Sequence, residues 1–344
     1  MRLSFLLYIL FIGIAGSILL FLKPEVVLIS QTTRISTSPS NQDSSEQPKT
    51  KALLSISQDK TKPDTAAIII PLKRIGKLYL IEATIDGETG NLVFDTGASC
   101  LVLNRSYFRN HVSFGQQTPG GITGSVGTVD RVTADEVNIG NLKFKKVAAN
   151  LTDLGHIENR RGVKVIGLFG FELIRNYQIR IDYSNNQVVL SPLDNKGNLI
   201  NPMHGFKAHY IHKIEELHNV LFTRAAIGGK ILRFCFDTGA ETNVLSSDLP
   251  KSVLQTVAIS RTSRLHGSGA AFSEVFYGRM GNFFYGDSSI SNMETIITYM
   301  GHLRESYGTH IDGMLGFEFI SKGIFCINFV KNEMGIAYLN QEGE

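Results

Sequence analysis

The chain contains one segment twice, and that duplication limits its fold more than any other feature. Val93-Phe94-Asp95-Thr96-Gly97-Ala98 returns as Cys235-Phe236-Asp237-Thr238-Gly239-Ala240, each time with an Asp on a short turn after an apolar strand. Seven residues beyond each Asp lie Val102-Leu103-Asn104 and Val244-Leu245-Ser246. Upstream, Leu80 to Gly87 matches Leu221 to Gly228. Downstream, Gly167-Leu168-Phe169-Gly170-Phe171-Glu172 is answered by Gly313-Met314-Leu315-Gly316-Phe317-Glu318. The copies are 142 residues apart at the Asp and 146 at the first Gly, so the unit repeats with little insertion.

Short β-rich runs between Gly, Asn and Asp turns predict a mainly β chain from Ala66 onward. The first half offers strands at 68–72, 78–85, 91–94, 132–139, 179–182 and 188–190. The second offers 220–227, 231–236, 294–299, 325–329 and 335–339. Gly228-Gly229 reads as a hairpin turn, and Asp86-Gly87 as a longer one. Brief helices are expected only after Gly170 and Gly316, where Glu172 and Glu318 suit a helix N-terminus.

Organisation follows from composition. Residues 3–22 form an almost unbroken apolar run, flanked by Arg2 and Lys23. Twenty residues at helical rise cross a bilayer core of about 30 Å, and the run exceeds the h-region of a cleavable signal. Residues 1–23 are therefore expected to be a transmembrane anchor. Residues 24–66 are rich in Ser, Thr, Gln, Lys and Pro and read as a flexible tether. Lobes at 67–195 and 213–344 follow, joined by a connector at 196–212.

A net charge of +3 is too small to indicate nucleic acid as a partner. Three cysteines, Cys100, Cys235 and Cys326, make neither a disulfide framework nor a zinc site. Cys235 reads as a small buried hydrophobe. His204, His209, His212 and His218 match no compact ligand set, so packing is expected of them and no metal or other cofactor is assigned.

Two carboxylates in matched contexts point to chemistry at one place. A pair that shares one proton presents a base and an acid together, so that one member activates water while the other polarises a peptide carbonyl. The chain has no His-Glu-x-x-His, and neither Ser125 nor Ser268 lies in a Gly-x-Ser-x-Gly frame. Gly97 and Gly239 allow the backbone to bend, and the Thr96 and Thr238 hydroxyls can bond across to the opposite copy.

These segments resemble the aspartic peptidases of the pepsin and retropepsin clan over nearly all of residues 67–340. Ala after Asp-Thr-Gly, and Gly-Phe-Glu-Leu-Ile followed by Ile-Asp-Tyr, are most similar to bacterial retropepsin-like proteins, here with two subunits fused in one chain. The resemblance implies a bilobal acid-protease fold, mainly β, as a monomeric protease unit with catalytic Asp95 and Asp237, supported by Thr96, Gly97, Thr238 and Gly239. It implies flaps at the Gly-rich segments holding Gly121, Ile122, Thr123 and Gly124, and Gly267, Ser268 and Gly269.

The expected function is membrane-anchored aspartic endopeptidase activity on extended polypeptide substrates, with extracytoplasmic lobes. The alternative is a catalytically silent peptide-binding or sensor module of the same fold. Ala98 and Ala240 stand where pepsin-like enzymes commonly carry Ser or Thr, which predicts a less acidic working range.

Overall fold

A computed structural model of the chain describes residues 66–117, 120–121, 124–125, 128–266 and 272–339. The expected anchor and nearly all of the tether lie outside the described residues, as do Ile122, Thr123, Gly267, Ser268 and Gly269. Among the described residues no helix is long and apolar enough to cross a membrane.

The repeat folds into two large β-sheets, one from each copy. In the first, Val165–Phe169 runs parallel to the motif strand Glu88–Phe94 and antiparallel to Leu101–Asn104. In the second, Gly313–Leu315 does the same between Lys230–Phe236 and Asn243–Ser246. Glycine is required in these inserted strands. A Cβ on Gly167 would meet the Val102 carbonyl oxygen at 2.1 Å, and one on Gly313 the Val244 oxygen at 2.3 Å. The next glycine of each segment passes over a motif turn, where a Cβ on Gly170 would be 2.1 Å from the Ala98 oxygen and one on Gly316 2.5 Å from the Ala240 oxygen. The two Gly-x-x-Gly segments are therefore wedges, shaped by close backbone approach.

A third sheet joins the copies. Its six antiparallel strands run in the order Ile68–Pro71, Gln187–Pro192, Tyr177–Asp182, Gly323–Asn328, Glu333–Tyr338 and Tyr210–Lys213. Three strands come from the first half and two from the second. The last comes from the end of the expected connector, so that segment is partly a strand of the shared sheet. His209 and His212 pack there: His209 Nδ1 accepts the Tyr338 N–H at 3.1 Å, and the His212 ring lies 5.1 Å from that of Tyr285.

Side-chain alternation divides the core. Leu92 and Phe94, with Phe234 and Phe236, enter one large cluster that also holds Phe171, Phe319 and Phe325. Between them Val93 and Cys235 point the other way, into smaller clusters under the motif turns with Ala98 and Ala240. This is the period-2 geometry of strands buried on both faces.

Several local readings change. Asp86-Gly87 and Gly228-Gly229 are both two-residue hairpin turns with positive φ, since Ile85 pairs Glu88 and Ile227 pairs Lys230. Phe317–Ile320 is a helix, whereas after Gly170 the chain only turns, through bonds from Ile174 N–H to Phe171 and from Tyr177 N–H to Ile174. Helices Gly155–Arg161 and Gly301–Tyr307 are further matched elements, each closed by a left-handed glycine, Gly162 at φ 65° and Gly308 at φ 60°.

Candidate active site

Each motif strand delivers its Asp to a buried turn fixed from behind by its own wedge. The Asp95 N–H donates to the Phe169 oxygen at 2.9 Å, and the Asp237 N–H to the Leu315 oxygen at 2.9 Å. Within the turns, Asp95 Oδ1 accepts from the Gly97 and Ala98 N–H groups at 3.0 and 3.2 Å. Asp237 Oδ1 accepts from Gly239 N–H at 2.8 Å. These bonds set the plane of each carboxylate.

The two turns are locked together by their threonines. Thr96 N–H donates to Thr238 Oγ1 and Thr238 N–H to Thr96 Oγ1, both at 3.0 Å. Each hydroxyl then donates onward across the join, Thr96 Oγ1 to the Phe236 oxygen at 2.9 Å and Thr238 Oγ1 to the Phe94 oxygen at 2.7 Å. Both threonines and both aspartates are buried. The carbonyls used belong to the residues directly before the aspartates, so four reciprocal bonds hold the motifs back to back.

The electrostatics agree with one shared site. Charge on both Asp95 and Asp237 raises the Tyr183, Cys235 and Tyr307 side chains further above their ordinary values, after burial as the main cause. Tyr183 stacks on Tyr79 with centroids 3.8 Å apart. Tyr307 and Cys235 share one buried cluster beneath the second motif. Cys235 thus lies among residues as far along the chain as Tyr307, 72 residues away, with no local sequence signal.

A perimeter of ion pairs crosses from one half to the other. Arg161, at the end of its helix, pairs with Glu241, which directly follows Ala240, and both side chains are largely buried. Lys77 reaches both Glu294 and Glu318 at 2.7 Å. Asn219 donates to the Ser99 carbonyl at 2.8 Å and accepts from Arg175 at 2.8 Å.

Of the flap candidates, Gly121 and Gly124 pair with each other in a short ladder that also joins Gly120 to Ser125. That ladder lies against the helix Gly301–Tyr307 of the other half. In the second half, Val257–His266 and Phe272–Met280 form a long hairpin whose last pair, His266 with Phe272, frames the second candidate tip. Among the described residues no cluster of three or more His, Cys, Asp or Glu side chains is arranged to hold a metal.

The sequence profile of the family described as aspartyl protease matches residues 81–173 and again 223–319, more than half of the chain. No curated protein matches it. Among solved structures, a retropepsin-like aspartic protease from Rickettsia conorii aligns with 22% identity and a TM-score of 0.27, covering 36% of this chain and 90% of that one.

Proposed function

This chain belongs to the aspartyl protease family, and we propose that it is an endopeptidase in which a water between Asp95 and Asp237 attacks the peptide carbonyl. The observation that carries this reading is the reciprocal threonine lock, because it joins the two Asp turns with little freedom to separate. Two carboxyl groups held close share one proton. The ionised member takes a proton from water as it attacks, and the protonated member donates to the carbonyl oxygen. The proton taken up then passes to the leaving amine as the tetrahedral intermediate breaks down. Prior positioning of both groups lowers the entropic part of the barrier.

The substrate of this reading is an extended polypeptide, which pairs through its backbone with hairpins on either side. The hairpin tips at 118–127 and 267–271 act as flaps over it, and the site lies between lobes 67–195 and 213–344. One chain supplies both aspartates, so the unit works as a monomer. Residues 3–22 anchor it as a single span and residues 24–66 hold the lobes on the extracytoplasmic side.

The test is cleavage of a peptide library by the purified full-length chain from about pH 3 to pH 8, beside Asp95→Asn and Asp237→Asn. Either substitution is expected to reduce turnover by at least about 1000-fold, with the wild-type maximum above about pH 3. A folded wild-type chain that cleaves nothing across this range would shift the assignment to the peptide-binding module. Protease protection of membrane vesicles, read with an antibody to the lobes, tests the anchor and its orientation.

A further inference from the structure

The second half carries a cleft of about 330 Å³. It lies on the strands Val257–His266, Phe272–Met280 and Met293–Thr298, and Thr242, five residues beyond Asp237, is part of its lining. Thr242 Oγ1 donates to the Glu294 carbonyl at 3.0 Å, tying the lining to the Asp237 turn. The opposite wall is the hairpin of Val257–His266 and Phe272–Met280, which flanks the second flap candidate in sequence.

The wall is cationic. A register shift between Ile259 and Arg261 leaves Ser260 as a bulge, with its hydroxyl bonded to the Tyr277 oxygen at 3.0 Å. Bulges re-aim the side chains beside them. Here Arg261 lies over the Tyr277 ring at 4.1 Å. Arg279 and Glu294 form the next pair along the same face. The Glu294 carboxylate is engaged by Lys77 at 2.7 Å and by Arg279 at 3.4 Å, and the Lys77 bond leads the causes that hold it below its ordinary range. Glu318 accepts from the same Lys77. Three cations thus face two carboxylates, and Arg261 forms no ion pair among the described residues.

The first half arranges its groups differently, with Arg131 over the Phe114 ring at 5.2 Å. Strand pairing places Arg131 where the second half has Tyr277, and Thr133 beside Ala148 where it has Arg279 beside Glu294. The duplicated frame therefore carries the charged Arg279–Glu294 pair in the second half only.

We infer that this cleft is a specificity subsite in which Arg261, stacked on Tyr277, binds an Asp or Glu side chain of the substrate peptide. The inference rests on the peptidase reading and adds a substrate class to it, namely polypeptides with an acidic residue at one fixed distance from the cleaved bond. An exposed guanidinium stacked on an aromatic face is positioned in advance for a bidentate carboxylate contact.

The experiment uses the full-length chain and peptides carrying Glu, Ala or Lys at each of the positions flanking the cleaved bond. At one position Glu is expected to raise kcat/KM about tenfold over Ala, mainly through KM, as one charge-assisted contact does. Arg261→Glu should turn that preference toward Lys, Arg261→Gln should abolish it, and Arg261→Lys should retain part of it. Absence of an acidic preference at every position, or a preference unchanged in both Arg261→Glu and Arg261→Gln, overturns the subsite. The same peptides, labelled with fluorescein, are also titrated against Asp237→Asn with and without the Arg261 changes. Should no peptide be cleaved, tighter binding of the Glu peptide that depends on Arg261 upholds the subsite while the peptidase reading fails. Binding indifferent to Arg261 overturns it.

Discussion

The two copies of the repeat agree at the centre and differ at the edge. The threonine bonds and the bonds from each Asp N–H to its wedge are the same in both halves, down to matching distances of 3.0 Å between each Thr N–H and the opposite hydroxyl. Around them the copies have diverged. Val93 faces Cys235 across the repeat, Ser99 faces Glu241, Arg161 faces Tyr307, and Lys77 faces Asn219. The backbone lock needs both partners to be alike, because each threonine serves the other. The perimeter has no such constraint, so ion pairs and pockets there can serve one side of a substrate only.

The largest break should come from the lock. Thr96→Val keeps the shape but removes an acceptor for the Thr238 N–H and a donor to the Phe236 oxygen, leaving two buried groups unsatisfied. Each such group costs about 1–3 kcal/mol, so a loss of about 4 kcal/mol in denaturant unfolding is expected. Thr238→Val should match it closely. A difference between the two of more than about half of that loss would show that the lock is not reciprocal in energy.

Next in size is Arg161→Ala, which leaves the Glu241 carboxylate in a largely buried place without its cation. Loss of one partner from a buried pair costs about 3 kcal/mol. Tyr307→Ala, at the equivalent position, creates a cavity and removes the Cys235 contact instead. Thermal unfolding at two salt concentrations separates them, because only the charged site should respond to salt.

Glu172 and Glu318 sharpen the comparison most directly, since they hold the same place in the repeat. Glu318 is bonded to Lys77. Glu172 has burial as its main influence, which lifts its carboxyl to about 7, with Arg131 and Arg175 opposing. Its protonated form is the one the fold favours, so its contribution to stability is present below about pH 4.5 and is lost as pH rises through about 7. Glu172→Gln should therefore stabilise the protein at pH 8 by about 2 kcal/mol and have little effect at pH 4. Glu318→Gln should destabilise at pH 8, by about 1 kcal/mol, through the weakened Lys77 bond. Urea titrations at both pH values would give opposite signs for the two substitutions at pH 8 and a near-zero effect of Glu172→Gln at pH 4.

The smallest change is Cys235→Val, which copies Val93 into the second half. It replaces the buried thiol with a side chain of similar volume in the same cluster, so a loss under about 1 kcal/mol is expected. A loss several times larger, measured by the same titration, would mean that the Cys235–Tyr307 pair anchors the second motif.

The sequence exposes what is local and what is repeated. Leu78–Ile85 and Val220–Ile227 have the same bounds in the structure as in the apolar pattern, because each opens on an unbroken apolar run and their turns carry glycine. Leu142–Thr152 is obscured by Lys143, Lys145 and Lys146, and positive φ at Lys146 breaks its alternation midway. Val257–His266 is polar along most of its length, as suits a strand with one face in a cleft, so its residues lack a strand's usual apolar signature. The aspartates and threonines are evident because duplication marks them. Arg161 with Glu241, and Cys235 with Tyr307, are joined by folding over 80 and 72 residues, and nothing near either residue announces its partner. Even identical sequence misleads locally: Gly-Phe-Glu forms a helix after Gly316 and only turns after Gly170, where half-buried Glu172 meets no lysine among the described residues.

The shared six-stranded sheet has a consequence for how such a chain is made. Tyr177–Asp182 borders Gly323–Asn328, and the far edge beyond it is completed by Glu333–Tyr338 and Tyr210–Lys213. A ribosome delivers the first half long before those partners exist, and distant pairings of this kind form late. Thr96 must likewise wait for Thr238. The nascent first half therefore carries a motif turn whose Thr96 N–H and hydroxyl have no counterpart to bond. Synthesis order itself delays the joining of the two Asp turns until the second half has emerged, and a chain released early would hold one turn without the other.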